Sequence, residues 1–525
     1  LKKSHKQSFI QGTMILLAAG LINRMLGFIP RIVLPRVIGT EGVGLYQLGY
    51  PFFLVLVTVI TGGLPLAVAK MVAEAESGNR PERTKSVLRT ALGLSFGLGV
   101  FFTLVSFLAA SWVSTSILTD GRVYYTFIAM SPMIAIVSIS AVYRGYFQGK
   151  QNMIPSALSS VLETVARIVF MLWLSLALLP KGIEYAAAGA MLGVTAGEIA
   201  GMLVLLVQYF RSAPGEATPK EPADTPKASA GENPSPRTLR RLLRISVPVT
   251  AGRLVGSFSY LLESIVTARS LALAGVATSV ATAQYGALQG MVIPLLLLPS
   301  ALTSSLAVSL VPSLSEATAR GDHRTVHKRM HQALRLALVT GAPFAVIMYV
   351  LAEPLCRLLY GSAETAPMLR LMAPFAVLLY VQAPLQAALQ ALDRPGRALM
   401  NTLIGAVVKI VLIFLLASRP EYGITGAILA IIVNSVLVTL LHGASVVSLL
   451  SLKLRLSDLL RIAAAMVIMA AGMTYMSSHF ALPGPEAVRF LIPAVAGGAL
   501  YIGIALLSGL LSPRDLGRLP RPRRR

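Results

Sequence analysis

The sequence predicts an all-α polytopic membrane protein with fourteen transmembrane helices: two six-helix bundles of the same orientation and two extra C-terminal helices. Three observations carry this expectation. Of 525 residues, 55% are hydrophobic and only 13% charged, against about 25% charged in an ordinary soluble globule. Apolar stretches long enough to cross a roughly 30 Å hydrocarbon layer recur along the whole chain. The alternating pattern of a membrane barrel strand is absent, which leaves helices as the spanning element.

The spans fall near 8–30, 46–70, 87–113, 123–147, 153–179, 184–210, 242–268, 281–312, 332–352, 366–391, 397–418, 422–450, 457–478 and 487–511. The first is "FIQGTMILLAAGLI" running into "NRMLGFIPRIVLPR", which sets Arg24 deep in the apolar run. The run has no small-residue cleavage site and reads as a full span rather than a cleaved signal. The second opens on Tyr46, Gln47 and Tyr50, and the eighth on Gln284, Tyr285 and Gln289. Prolines 132, 155, 248, 294, 299, 312, 374 and 384 fall in or beside spans, where each removes a backbone donor and permits a bend.

Lysine and arginine set the orientation. Lys2, Lys3 and Lys6, then Arg80, Arg83 and Lys85, then "RGYFQGKQN" and the stretch after the sixth span all lie on one side. Arg320, Arg324, Lys328, Arg329, "LDRPGR", Lys453, Arg455 and the tail "RLPRPRRR" continue the set. The basic side faces the cytoplasm by the positive-inside rule, so both termini are expected inside a cell membrane, as an even span count requires. The formal net charge of +24 therefore belongs to juxtamembrane loops meeting anionic lipid, and no nucleic-acid partner is expected.

Residues 211–236, "RSAPGEATPKEPADTPKASAGENPSP", contain six prolines and almost no large apolar side chain, the composition of a flexible cytoplasmic linker. It separates an N-terminal bundle over 1–210 from a second over 237–452, followed by helices 13 and 14 and the basic tail over 453–525. The two bundles are internal repeats. "LPLAVAKMVAEAESGN" matches "SSLAVSLVPSLSEATARGD", and "YAAAGAMLG" matches "YGITGAILA". Pro132 aligns with Pro374 and Arg167 with Lys409, each pair 242 apart. Six spans per copy is even, so the copies share one orientation, related by an axis along the membrane normal; paired bundles of this kind commonly rock about a cavity between them.

"FIQGTMILLAAGLINRMLGFIPRIVLPRVIGTEGVGLYQL", "GGLPLAVAKMVAEA" and "AVYRGYFQGKQNM" closely resemble the stage V sporulation protein B family. That family stands with polysaccharide-precursor and lipid II flippases in the multidrug/oligosaccharidyl-lipid/polysaccharide exporter superfamily. The resemblance spans essentially the whole chain. It implies a carrier of undecaprenyl-linked sugar intermediates, in sporulating members for spore cortex peptidoglycan, with a lipid-linked glycan as substrate and cell-wall synthesis proteins as possible partners. Lipid II flippases have a first-helix pattern Ser-Arg-x-Leu-Gly-Phe-x-Arg-Asp. In "NRMLGFIPR" Arg24, Gly27 and Phe28 keep it, while Pro30 stands at the second arginine and Arg31 at the aspartate.

The implied pyrophosphate makes the intramembrane charges candidates, since guanidinium groups grip phosphate oxygens bidentately. Arg24 and Arg31 are seven apart, nearly one helical face. An arginine inside a span is costly unless it faces a polar cavity; the alternative is that Arg24 pairs within the bundle and fixes packing. Arg253 and Glu263 share a face of the seventh span, about 15 Å apart, with Arg269 near its outer end. Glu163 and Arg167 form an i,i+4 pair with the acid first, which mutual neutralisation explains as well as a substrate or coupling role. Lys409, Glu198 and Asn434 are further structural or coupling candidates.

No catalytic or metal-binding constellation is expected. A single cysteine, Cys356, leaves no disulfide within the chain and no cysteine-based metal site. No phosphate-binding glycine loop ends in Lys-Ser/Thr, so an ion gradient, the substrate's own gradient or the membrane potential must drive transport. One charge moved across 100 mV is worth about 2.3 kcal/mol; the coupling ion is unspecified and no cofactor is expected. His323, His327 and His331 form an i,i+4,i+8 row that reads as a basic cytoplasmic helix rather than a metal site. The rival readings are a drug/cation antiporter of the same superfamily and a non-transporting scaffold for cell-wall enzymes. A membrane glycosyltransferase is a third, which the short outer loops disfavour.

Overall fold

A computed structural model describes residues 9–212, 236–451, 456–479 and 485–511. Most of the linker, Lys2, Lys3, Lys6, Lys453, Arg455 and the basic tail lie outside the described residues. Among the described residues every regular element is helical. By contact the chain divides into two compact units, the first running to Gly286 apart from four residues, the second taking up from Ala287.

The first unit holds α1 (Phe9–Leu26), α2 (Phe28–Thr61), α3 (Leu64–Ser77), α4 (Pro81–Trp112), α5 (Val123–Gly149), α6 (Ile154–Leu178), α7 (Ile183–Ser212), α8 (Pro236–Leu273) and α9 (Thr278–Gly286). Proline in the first turn starts α3, α4 and α6, where its missing N–H costs nothing. The break between α2 and α3 falls at Gly62–Gly63. A Cβ on Gly63 would stand 2.1 Å from the Ser246 carbonyl oxygen and one on Gly62 3.0 Å from Thr250 Cα. α8 therefore crosses directly over the break, and the glycine pair is what admits it. α8 and α9 thus group with the helices before the linker.

The tightest pairing in this unit is α6 with α7. Gly189, Gly193, Gly197 and Gly201 recur every fourth residue down one face of α7, the small-residue spacing that lets membrane helices approach backbone to backbone. A Cβ on Gly193 would lie 2.2 Å from Met171 Cα. Gly193→Ala is therefore expected to lower the melting temperature of the purified protein, with an overpacking cost of about 1–3 kcal/mol. Gly252→Ala, which points a Cβ into open space, is the control expected to leave it unchanged.

The second unit holds α10 (Ile293–Leu296), α11 (Ser300–Ala319), α12 (His323–Val350), α13 (Ala352–Tyr360), α14 (Ala366–Ala391), α15 (Pro395–Ala417), α16 (Ile424–Leu450), α17 (Leu456–His479) and α18 (Glu486–Leu507). The single helix expected over 281–312 is not continuous. A wider turn over Ala287–Val292 and a break at Leu297–Pro299 interrupt it. Pro294 and Pro299 withdraw two backbone donors, and tyrosines supply donors to carbonyls of the interrupted segment. Tyr360 donates to the Met291 carbonyl at 3.0 Å and Tyr380 to that of Leu296 at 2.9 Å.

Among the described residues, twelve helical stretches are long and apolar enough to cross a membrane. The expected count of fourteen differs at two places: 8–30 and 46–70 fall in one 64-residue stretch, Met14–Ser77, that is kinked at Gly39, where φ is 65° and ψ −177°, and 281–312 is the interrupted segment.

Candidate functional site

The glycine face of α7 brings α6 close enough for buried charges to meet. Glu163 of α6 is buried, about 14 Å along its helix. It accepts from two arginines, Arg144 of α5 at 2.5 Å and Arg167 one turn on in α6. Arg167 also reaches Glu198 of α7 at 3.4 Å. The expected Glu163–Arg167 pair is thus half of a four-residue network across three helices. Two arginines and two carboxylates balance if all are ionised, which is what makes burial affordable. Arg144, read from sequence as part of a basic connection, is the missed member; it lies five residues before the end of α5.

Tyrosines from α2 and α8 border this network. Tyr46 and Tyr50 stack one turn apart, ring centroids 6.4 Å, and both lie within electrostatic range of Arg167 and Arg31. Tyr260 of α8 shares that range with Arg31, Tyr46, Tyr50 and Glu263. Arg31 is exposed and rests its guanidinium 5.9 Å from the Phe28 ring centroid. Glu263 is buried, and α8 is joined to α2 there by Ser264 donating to the Leu48 carbonyl at 3.5 Å. The first unit therefore gathers Arg31, Tyr46, Tyr50, Glu163, Arg167, Glu198, Tyr260 and Glu263 into one polar neighbourhood inside apolar helices. Such a set can offer guanidinium to an oxyanion and phenol to hydroxyls.

Arg24 lies in the last turn of α1, exposed but engaged by a neighbouring group; Gly27, between α1 and α2, keeps helical backbone angles and donates to the Asn23 carbonyl at 2.8 Å. Beside it Asn23 donates to Ser160, docking α1 on α6. Arg253 is exposed on α8. Arg269, also exposed, donates to the Ser116 carbonyl. In the second unit Lys409 is half-buried and engaged, and Asn434 Oδ1 lies 2.6 Å from where a Cβ on Gly405 would be.

Two further clusters tie opposite ends of the first unit. At the α3 end, Arg241 donates to Glu74 at 2.5 Å and Thr84 to Glu76 at 2.9 Å. At the turn before α5, Arg122 donates to Glu41 at 2.6 Å and to both Asp120 oxygens, while Thr282 donates to Asp120 at 2.7 Å. Burial alone would push the Asp120 carboxyl up; hydrogen bonds from Arg122 and Thr282 outweigh it and hold the group below its ordinary value. A depressed carboxyl contributes stability above its unfolded value, about 3.9, and loses it as pH falls through the folded value. The melting-temperature gap between wild type and Asp120→Asn should stay constant from about pH 5 upward and shrink below about pH 4.

Comparison with known proteins places these features. Residues 9–318 match the family described as polysaccharide biosynthesis protein, and residues 257–415 match the MatE family. The chain is 43% identical over 515 residues to stage V sporulation protein B of Bacillus subtilis (strain 168), covering 98% of each. It is 25% identical over 540 residues to lipid II flippase MurJ of the same organism, covering 97% of each. A solved structure of lipid II flippase MurJ in an inward closed conformation shares the fold at a TM-score of 0.69 and 16% identity, with 96% of this chain and 100% of that one covered. An inward-facing multidrug resistance transporter of the MATE family aligns at 0.63 and 17% identity, covering 82% and 94%.

Proposed function

Because the chain belongs to the stage V sporulation protein B family of polysaccharide biosynthesis proteins, we propose that it is a flippase-type transporter moving undecaprenyl-pyrophosphate-linked peptidoglycan or polysaccharide precursor across the cell membrane by alternating access, in spore cortex or cell-wall synthesis. The observation that carries the reading is the set of arginines and tyrosines inside the apolar helices of the first unit, in a chain similar to the family end to end. Guanidinium fits a diphosphate and phenol fits sugar hydroxyls. Arg24 and Arg31 are the proposed diphosphate contacts, with Arg253, Glu263 and Arg269 along α8. Glu163, Arg167, Glu198, Lys409 and Asn434 hold the helices or couple an ion. The protein is read as a transporter rather than an enzyme, its substrate a lipid-linked glycan.

We read the chain as crossing fourteen times with both termini cytoplasmic. The 64 residues of Met14–Ser77 measure about 96 Å as helix, enough for two crossings. In intact cells Glu421→Cys, in the connection between α15 and α16, is expected to react with an impermeant thiol reagent, and Asn79→Cys, between α3 and α4, to stay unreactive. The reverse pattern overturns the orientation.

The match to MatE over 257–415 favours a drug/cation antiporter as the second reading. Purified protein in liposomes separates the two: labelled lipid II and labelled undecaprenyl-linked glycan should flip, while a cationic dye should not accumulate. Dye accumulation without flipping would establish the antiporter, and neither activity would favour a scaffold.

A further inference from the structure

We propose that Glu198 is a proton-binding site linked to anion binding through Arg167, so that the oxyanion of a lipid-linked diphosphate and a proton bind to the first unit together. This rests on the flippase reading for the identity of the anion, and on the charge network alone for the proton. The two carboxylates of the network are not equivalent. Glu163 takes both arginines, one on each oxygen. Glu198 has one ion pair, long at 3.4 Å, to the Arg167 nitrogen that Glu163 already holds, and otherwise meets the Glu163 carboxyl itself. Its second oxygen, Oε2, is buried with no hydrogen-bond partner. A buried carboxylate oxygen without a donor is costly as an anion and inexpensive as a protonated group.

The surroundings of Glu198 fix what can answer it. α6 supplies Glu163 and Arg167, α5 supplies Arg144, and α2 supplies Tyr50. On α7 itself the other charges, Glu184 and Arg211, sit at the two ends, about 20 Å away. Arg144 pairs with Glu163 and acts on Glu198 from farther off, so among the described residues Arg167 is the cation that forms an ion pair with Glu198. Arg167 is also within electrostatic range of Tyr46 and Tyr50, on the side where an anion would meet the tyrosines. An oxyanion that draws the Arg167 guanidinium to itself leaves Glu163 paired with Arg144 and takes from Glu198 its ion-pair partner, with Arg144 left acting on it only from behind Glu163. A proton from water then adds to Glu198 Oε2, and the charge brought by the anion is partly matched. By linkage, whatever protonates Glu198 favours the anion to the same degree.

Dicyclohexylcarbodiimide tests this, because it adds to a protonated buried carboxyl and leaves an ionised one unmodified. Full-length protein in detergent is treated at neutral pH with and without farnesyl diphosphate, and modified peptides are read by mass spectrometry. Labelling of Glu198 should rise several-fold with the diphosphate and several-fold in ligand-free Arg167→Met, while Glu163, still held by Arg144, stays unmodified. Glu198→Gln should bind the diphosphate without the proton uptake that wild type shows in weakly buffered solution. Should wild type not bind the diphosphate, the substrate reading fails and the ligand-free Arg167→Met comparison still decides the proton site. Should Arg167→Met not fold, Arg167→Gln and the wild-type comparison decide it. Unchanged Glu198 labelling across these comparisons overturns the proposal, even if the diphosphate binds.

Discussion

Glu163→Ala is expected to destabilise the protein by about 3–5 kcal/mol, the cost of removing one partner from a buried charge network. The alanine would leave Arg144 and Arg167 facing each other between α5 and α6 with only the long Glu198 contact to balance them. The check is thermal unfolding of the detergent-purified protein alongside its abundance in the membrane. Glu163→Gln keeps the shape and one acceptor, and should fall between wild type and alanine. Glu163→Leu combined with Arg144→Met, Arg167→Met and Glu198→Gln removes the four charges together and should be less damaging than alanine alone, because no charge is then left buried and unpaired. If the single alanine is as stable as wild type, the network is not what holds α5, α6 and α7 together.

Arg24 carries the second large effect. If its guanidinium grips a diphosphate, Arg24→Ala should lower lipid II flipping in liposomes on the order of a hundredfold, from the loss of a charge-assisted contact worth about 3 kcal/mol. The amount of folded protein should not change. Arg24→Lys should rescue partly, since lysine keeps the charge and loses the fork. The exposure of Arg24 at the end of α1 agrees with small effects on folding. The packing alternative expects a lower melting temperature in Arg24→Ala and full activity in Arg24→Met. Full activity in Arg24→Met would make Arg24 a structural residue and remove it from the substrate site.

Several elements were legible because their cause is local. The breaks at Pro294 and Pro299 sit on prolines that the sequence marks as bends, yet an apolar run from 281 to 312 still read as one helix. Hydrophobicity measures whether a segment tolerates lipid, not whether its backbone bonds are continuous; Tyr360 and Tyr380, 60 and more residues away, are what make the interruption tolerable. The Glu163–Arg167 pair was legible from its four-residue spacing. Arg144, nineteen residues from Glu163, was not, because only the turn between α5 and α6 brings it back to that level.

By itself the sequence determined that the chain is helical and lives in a membrane, that a polar, proline-rich stretch interrupts its apolar runs, and that it resembles one transporter family. Each of these is a sum or a pattern along the chain: apolar length, proline content, short motifs. Only the tertiary structure decided which charges meet. The four-residue glycine row of α7 sets how closely α6 approaches, and that distance puts Arg167 against Glu198 and leaves one carboxylate oxygen without a donor. Likewise α8 joins the helices before the linker because Gly62 and Gly63 leave room for its backbone. Contacts between helices depend on the shapes of two surfaces at once, and a sequence read along one strand of chain holds only one of them at a time.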